Sequence, residues 1–330
     1  MIFMPRKNLK CLELLFSFVG LFVMSQLVHA ADIYPSKPIR LILGYAPGGV
    51  ADITARMIAQ KMSDSMGQQV VVDNRPSAGG IVAAQAVAAS DPDGYTILHL
   101  NYGNAVSEAI FKKLPYDIQK DFEPVSIMGA FDVVMLVDKS SDIQSVSDFI
   151  AKAKANPEKY NLGSVSIGSG QHMAASLFKN LAGLQVEIVP YKATSNLFMS
   201  LKSKDISVAF EIISPAMQAL KNGDMRALAV SSTKRYEGFP QVPTLAESGV
   251  KGYDVVAWNG MAVPAKTPRA IIDRINKEVN LALKDPEIRA KFQSVGIDPK
   301  GGSPEEFKAL LSNEVAKWKK LVVQLNMEKL

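Results

Sequence analysis

Few residues in this chain are able to do chemistry by themselves. Three histidines occur, at positions 29, 99 and 172, and one cysteine, Cys11. No H-x-x-x-H or H-E-x-x-H spacing is present, so no zinc motif exists and no metal site is expected. A serine hydrolase on an α/β sheet would show G-x-S-x-G; Gly163-Ser164-Val165-Ser166-Ile167-Gly168-Ser169-Gly170 comes close and misses at every serine. Ser169 and His172, three residues apart, leave a nucleophile–base pair open as an alternative. Gly168-Ser169-Gly170 lacks the third glycine of G-x-G-x-x-G, and no glycine loop is followed by G-K-[ST], so no nucleotide cofactor is expected.

Two glycine-rich turns offer a different chemistry. Gly44-Tyr45-Ala46-Pro47-Gly48-Gly49-Val50-Ala51-Asp52 lies between a strand and a helix. Its glycines let the backbone bend and leave N–H groups uncovered, and Asp52 is placed to cap the helix. Free N–H groups and a helix N-terminus at the carboxyl end of a strand form an anion site. The second turn, Ser164 to Gln171, again joins strand to helix and presents small hydroxyls. One such loop per lobe suggests a cleft with an anion end and a hydroxyl-lined wall. The bland alternatives are a tight turn with nothing bound and a flexible surface loop.

The elements that position these turns alternate. Residues 39–43 read as a strand, Asp52–Met66 as a helix with Ile53, Met57, Ile58 and Met62 on one face, and Val70–Val72 as a strand. Ile81–Ala89 reads as a small-residue helix and Tyr95–Leu98 as a strand, with a strong turn at Asp91-Pro92-Asp93-Gly94 between them. The rhythm returns after about Met135. Strands are expected near Leu162, 186–189, 206–210 and 227–230, and helices over 147–155, 173–181, 194–201 and 215–220. Such alternation means parallel strands with helical crossovers, hence an α/β fold, here in two successive units. Three helices close the chain: one opened by Thr267-Pro268 as N-cap and N1, one by Asp285-Pro286, and one by the capping box Ser303-Pro304-Glu305-Glu306. The last carries the apolar stripe Phe307, Leu311, Val315, Trp318, Val322 and Leu325.

The 330 residues are 48% hydrophobic and 21% charged, which excludes a disordered chain. The net charge of +5 comes from scattered basic residues, so no nucleic-acid partner is expected. Arg6, Lys7 and Lys10 precede an apolar run over 14–28, and Val28-His29-Ala30 closes it with small residues. That pattern reads as a secretory signal peptide over residues 1–30, cleaved near Ala30-Ala31, with an uncleaved anchor as the alternative. Cleavage removes Cys11, leaving a mature chain with no disulfide, thiol nucleophile or cysteine ligand. Export, no cysteine and no catalytic motif together favour binding over catalysis, so we expect no enzyme.

The order of short motifs is distinctive. Tyr34-Pro35…Lys37-Pro38-Ile39-Arg40 is followed by Ala46-Pro47-Gly48-Gly49…Asp52…Ala55-Arg56, then Val71-Val72-Asp73-Asn74-Arg75-Pro76…Ala78-Gly79-Gly80 and Pro92-Asp93-Gly94-Tyr95-Thr96. Asp121-Phe122-Glu123-Pro124-Val125, Gly163-Ser164…Gly168-Ser169…His172, Val189-Pro190-Tyr191-Lys192 and Arg226-Ala227-Leu228-Ala229-Val230 come next. Pro243-Thr244-Leu245-Ala246-Glu247-Ser248-Gly249, Trp258 and Pro264-Ala265…Thr267-Pro268 complete the series. In this order the chain resembles the solute-binding proteins of tripartite tricarboxylate transporters, the Bug family of periplasmic receptors.

The resemblance implies a type II periplasmic-binding fold, two α/β lobes around a central ligand cleft. Lobe 1 would comprise residues 31–130 and 257–330, and lobe 2 residues 131–256, with crossings near Ala130 and Val256. It also implies a small carboxylate ligand (a di- or tricarboxylate, an acidic amino acid or an aromatic acid) held by N–H groups, hydroxyls and waters. Expected contacts are Tyr45, Gly48, Gly49, Val50 and Asp52 from the first lobe, and Ser164, Ser169, His172, Thr194 and Glu211 from the second. Implied partners are membrane transporter subunits or a sensor ectodomain, and the receptor is expected to be a periplasmic monomer. The rival readings are an exported serine hydrolase and a ligand-sensing protein without a transport role. The chain departs from the family's pattern at Ala193, Ser203-Lys204, Ser207, Glu211, Ser77 and Ala83. Ala193 lies close to the expected cleft, so ligand identity does not transfer from a relative. Tyr45, Phe131 and Trp258 are candidate aromatic walls or core residues.

Overall fold

The computed structural model describes residues 34–330, so the expected signal peptide lies outside the described residues. The first half of the chain alternates strand and helix: β1 (Ile39–Leu43), α1 (Val50–Met66), β2 (Val70–Asn74), α2 (Ile81–Ala88), β3 (Thr96–Asn101) and α3 (Tyr102–Ile110). A 17-residue strand, β4 (Phe122–Asp138), leads into α4 (Val146–Ala155), β5 (Asn161–Val165), α5 (Gly170–Leu181) and β6 (Glu187–Tyr191). Then come α6 (Thr194–Ser203), β7 (Val208–Ile212), α7 (Ile213–Lys221), β8 (Met225–Val230) and β9 (Val256–Pro264). The chain closes with α8 (Arg269–Lys284), α9 (Pro286–Ser294), the short β10 (Asp298–Pro299) and α10 (Pro304–Gln324).

The strands form two sheet halves that share β4. In the first, β2, β1 and β3 run parallel and β9 joins antiparallel between β3 and β4. In the second, β7, β5 and β6 run parallel, and β4 meets both β7 and β8 antiparallel. The switch falls inside β4: residues up to Asp132 pair with β9, and from Val133 onward the partners are β7 and β8. The chain returns at Val255, whose N–H bonds to Ser231, just before β9 starts at Val256.

Period-2 patterning packs both faces of the first sheet. Ile39, Leu41 and Leu43 of β1 join Ile58 and Met62 of α1 and Ile275 of α8 in one core. Ile42, Leu98 and Leu100 point the other way, into a core that holds Phe307 and Trp318 of α10. The capping box at Ser303 and Glu306 forms as expected, and every apolar residue of the α10 stripe up to Val322 is buried. Asp285 caps α9 with Pro286 at its first position.

Several elements differ from the sequence reading. The helix expected from Asp52 begins two residues earlier, and Ile53, expected on its buried face, is exposed while Thr54, Ala55 and Ala59 are buried. Pro268 is the N-cap of α8, not its first residue: its ψ of 138° is not helical, and the Ile271 and Ile272 N–H groups bond to its carbonyl. Helix α3 was not expected. Asn101 starts it through a reciprocal capping box with Asn104, a pair that does the work of the Ser/Glu signature without its residues.

Candidate functional site

The first glycine turn leaves β1 for α1. At Gly44 a Cβ would sit 2.6 Å from the Gly80 Cα, so the backbone of the next loop passes where any side chain would be. Gly48 has φ +84, a left-handed conformation that suits glycine. Gly49 is the N-cap of α1 and no side chain caps it; the first helical bond runs from the Ile53 N–H to the Gly49 carbonyl. The N–H groups of Val50, Ala51 and Asp52 therefore have no carbonyl of the helix to bond.

Asp52 does not cap α1, because it lies in the third helical position. It is a strut. Its Oδ2 accepts from the Gly48 N–H at 2.9 Å and from Arg56 Nε at 3.0 Å, and its Oδ1 accepts from Asn74 Nδ2 at 2.9 Å. Arg56 also pairs with Oδ1 at 2.9 Å. Burial works against the charge, but the bonds from Arg56, Gly48 and Asn74 outweigh it and hold the carboxyl below its ordinary value. The carboxylate is saturated and the Gly48 N–H is spent on it, so of the expected first-loop contacts Tyr45, Gly49 and Val50 keep free groups.

Tyr45 is 40% exposed, yet its hydroxyl reaches inward to Asn101 Oδ1 at 2.9 Å. Its ring meets the His99 imidazole edge-on, with centroids 6.2 Å apart. His99 is buried in β3, and neither ring nitrogen has a partner. Burial alone pulls its pKa from 6.5 to about 4, so the ring is neutral at pH 7. On β9, Asn259 lies opposite Asn101, and its buried Oδ1 is also unpartnered.

The second turn follows β5. Ser164 is completely buried within the strand and its hydroxyl has no partner. Ser169 is the N-cap of α5: its hydroxyl accepts from the His172 N–H at 3.1 Å and donates to the Val165 carbonyl at 2.6 Å. The His172 imidazole turns instead to the Gly168 N–H, 3.5 Å from Nδ1, and burial lowers its pKa. The Ser169 proton thus goes to backbone, and the nucleophile–base pair is not formed.

After β6, the N-cap of α6 is Ala193, again without a side-chain cap. The Thr194 hydroxyl donates to Glu211 Oε2 at 2.7 Å, and the first-turn N–H groups have no helical carbonyl to bond. Glu211, buried in β7, also accepts from Gln171 Nε2 and from the Ile212 N–H, each at 2.8 Å. Burial raises its pKa against the pull of those three bonds. It is a structural hub rather than a free acid.

The two halves touch through Tyr102 and Gly170. The Tyr102 ring lies where a Cβ on Gly170 would be, and its hydroxyl is 3.4 Å from Gln171 Oε1, a long contact. Tyr102 begins α3 and Gly170 begins α5, so the contact joins helix starts on different sheets. Phe131 packs edge-on to Tyr102, and Trp258 is buried against Phe307. Phe131 and Trp258 are thus packing residues at the junction. Sequence reasoning missed Asn101, Tyr102, Gln171 and Asn259 as parts of this region. The one available signal was the Asn101…Asn104 pair at a strand end. Among the described residues, no group of three His, Cys, Asp or Glu side chains could hold a metal ion.

A family model described as tripartite tricarboxylate transporter family receptor matches residues 54–327. The protein BugT of Bordetella pertussis is 31% identical over 309 residues, covering 92% of this chain and 95% of BugT. An R. palustris protein solved with adipate superposes with a TM-score of 0.80 at 30% identity, covering 90% of this chain and all of that one. MatC from Rhodopseudomonas palustris with bound malate gives 0.76 at 28%, covering 88% and 100%. The periplasmic binding protein BugD gives 0.77 at 28%, covering 90% and 100%.

Proposed function

This chain belongs to the tripartite tricarboxylate transporter receptor family, and from that premise we propose that it captures one small carboxylate between two lobes by hinge closure and presents it to a membrane transporter. The family is one of periplasmic solute-binding receptors, not enzymes, and the relatives solved with adipate and malate hold carboxylates. The lobes we assign are residues 31–130 with 257–330, and residues 131–256. The cleavable leader at residues 1–30, export to the periplasm and a monomeric state belong to the same proposal.

One observation carries the reading: α1 and α6, on different sheets, both start at a residue with no side-chain cap, at the carboxyl ends of β1 and β6. Their open N–H groups and helix dipoles favour negative charge. We assign the carboxylate to Gly49 and Val50 on one side and to the backbone of Thr194 on the other. Tyr45, Ser169 and His172 border it, and Gly48 and Asp52 shape the first turn. Two or three hydrogen bonds to a charged group, at about 1.5–3 kcal/mol each, match the roughly 5.5 kcal/mol that moves a hinge from 1:99 to 99:1.

A thermal-shift screen of small carboxylates against their matched amides tests this. A ligand at about one hundred times its dissociation constant adds roughly 2.7 kcal/mol, a rise of several degrees. A shift with a carboxylate and none with its amide is the expected result. No shift with any carboxylate, before and after refolding to strip retained ligand, would overturn the proposal.

A further inference from the structure

Three polar atoms at the base of the first turn have nothing to bond. Both nitrogens of His99 and the Oδ1 of Asn259 are buried and unpartnered. Buried polar atoms are almost always paired, so three orphans on neighbouring strands call for a common explanation. His99 and Met261 are paired across β3 and β9, as are Asn101 and Asn259. Period-2 geometry therefore puts His99, Asn101 and Asn259 on one face of the sheet. That face holds the core built on α1, since Ile97 and Met261 belong to it. The cluster ends at Asn101, the last residue of β3, where the Tyr45 hydroxyl binds.

Tyr45 covers His99 from the loop that leads into the uncapped start of α1. It is held there by one side-chain bond and is itself 40% exposed. A neutral imidazole offers one donor and one acceptor, and Asn259 Oδ1 offers another acceptor. No charged side chain accompanies them, because the Asp52 carboxylate is already filled by Gly48, Arg56 and Asn74. An ammonium group would find no counter-charge in this cluster. An apolar group would leave all three atoms unpaired. A single hydroxyl, which both donates and accepts, takes the imidazole N–H and gives its proton to Asn259 Oδ1, pairing two of the three atoms at once.

We propose that His99 and Asn259 form a hydroxyl subsite beneath Tyr45, which makes the ligand a hydroxylated carboxylate. This rests on the carboxylate reading above. Tyr45 swings off as the ligand enters, the carboxylate takes the α1 N-terminus, and the adjacent hydroxyl accepts from the His99 N–H and donates to Asn259 Oδ1. Sites built to bond a hydroxyl discriminate strongly against analogues that lack it, because their polar groups are then left buried and unpaired.

The test is calorimetric titration with three pairs that differ by one hydroxyl: malate and succinate, 2-hydroxyglutarate and glutarate, citrate and tricarballylate. The expected result is that at least one hydroxy acid binds about tenfold or more tightly than its partner, and that His99→Leu brings the two within about twofold. Equal affinities within every pair, or a preference that survives in His99→Leu, overturn the hydroxyl subsite and leave the carboxylate reading standing. Binding by none of the six, together with no shift in the wider carboxylate screen, overturns both. Should His99→Leu fail to fold, the 15N signals of the wild-type His99 ring decide. They should move with the hydroxy acid and stay with its partner, and the same movement with both refutes the subsite.

Discussion

The buried imidazole of His99 makes the stability of the ligand-free protein depend on pH in a way that one substitution should remove. Its pKa falls from 6.5 to about 4 because the charged ring would lose its hydration with no partner to replace it. Between those values the unfolded chain binds a proton that the folded chain refuses. The contribution is complete above pH 6.5 and is lost as pH falls toward 4. At 1.36 kcal/mol per pH unit the full loss is up to about 3 kcal/mol, and at pH 5 it is already about 2 kcal/mol.

His99→Leu replaces a ring with two unbonded nitrogens by an apolar side chain, so at pH 7.5 it should cost little. Urea denaturation of both proteins at pH 7.5 and pH 5 is the assay. His172, Asp52 and Glu211 titrate alike in each, so the difference between the two losses isolates His99. The wild type should lose about 2 kcal/mol more than the variant, a difference of roughly 3 °C in Tm. Equal losses, or an NMR titration of His99 near 6.5, would refute the account of His99 as a neutral, buried, unpartnered ring.

Two further substitutions probe the junction and the second sheet. Gly170→Ala places a methyl group inside the Tyr102 ring, and relief requires that buried ring to shift or the starts of α3 and α5 to move apart. Overpacking of this kind costs about 1–3 kcal/mol and should lower carboxylate affinity as well; unchanged urea stability and unchanged binding together would show that the contact does not join the halves. The raised pKa of Glu211 means that its contribution is complete below the unfolded value and falls as pH rises through the folded one. Glu211→Gln keeps an oxygen for Gln171 and Ile212, and its amide can donate to the Thr194 hydroxyl. The variant should equal or exceed the wild type at pH 7.5 in urea denaturation, and a loss above about 2 kcal/mol would mean that the charge itself holds the hub.

Local chemistry made much of this fold legible. β1 reads correctly to its ends because five apolar-rich residues are bounded by Pro38 and a glycine turn. Asp285-Pro286 and Ser303…Glu306 start helices where side-chain caps dictate. The two loops were legible because strand-to-helix turns rich in glycine and serine are local features. What the loops' side chains do was not, because it depends on distant residues. Asp52 looked like a cap, yet Asn74 and Arg56 make it a strut. Thr194 and Glu211 are expected ligand contacts, but the network that joins them to Gln171 and Ile212 spans residues 171 to 212 and has no local signature. Helix α3 was hidden because its cap is an Asn pair rather than the Ser/Glu signature. His99 carries no local signal of a role, and only the register of β3 against β9 places it on one face with a second unpaired group.

Two acids beside the proposed anion site, Asp52 in the first turn of α1 and Glu211 in β7, pose an electrostatic problem. A bare carboxylate about 4 Å from a bound one would oppose it by roughly 4 kcal/mol at the effective dielectric of a partly exposed site. That would cancel two charged hydrogen bonds of about 1.5–3 kcal/mol each. The chain removes the opposition in two different ways. Asp52 stays ionised, but the Arg56 guanidinium neutralises it within 3.0 Å, and its lone pairs are committed to Gly48 and Asn74. Glu211 has no cation beside it, and burial moves it toward the neutral acid while Gln171, Thr194 and Ile212 disperse what charge remains. The uncovered N–H groups at the starts of α1 and α6 then set the sign of the local field. On the proposed reading a carboxylate is bound there without an arginine or lysine in either turn, and the proposed subsite passes selectivity to the neutral groups His99 and Asn259.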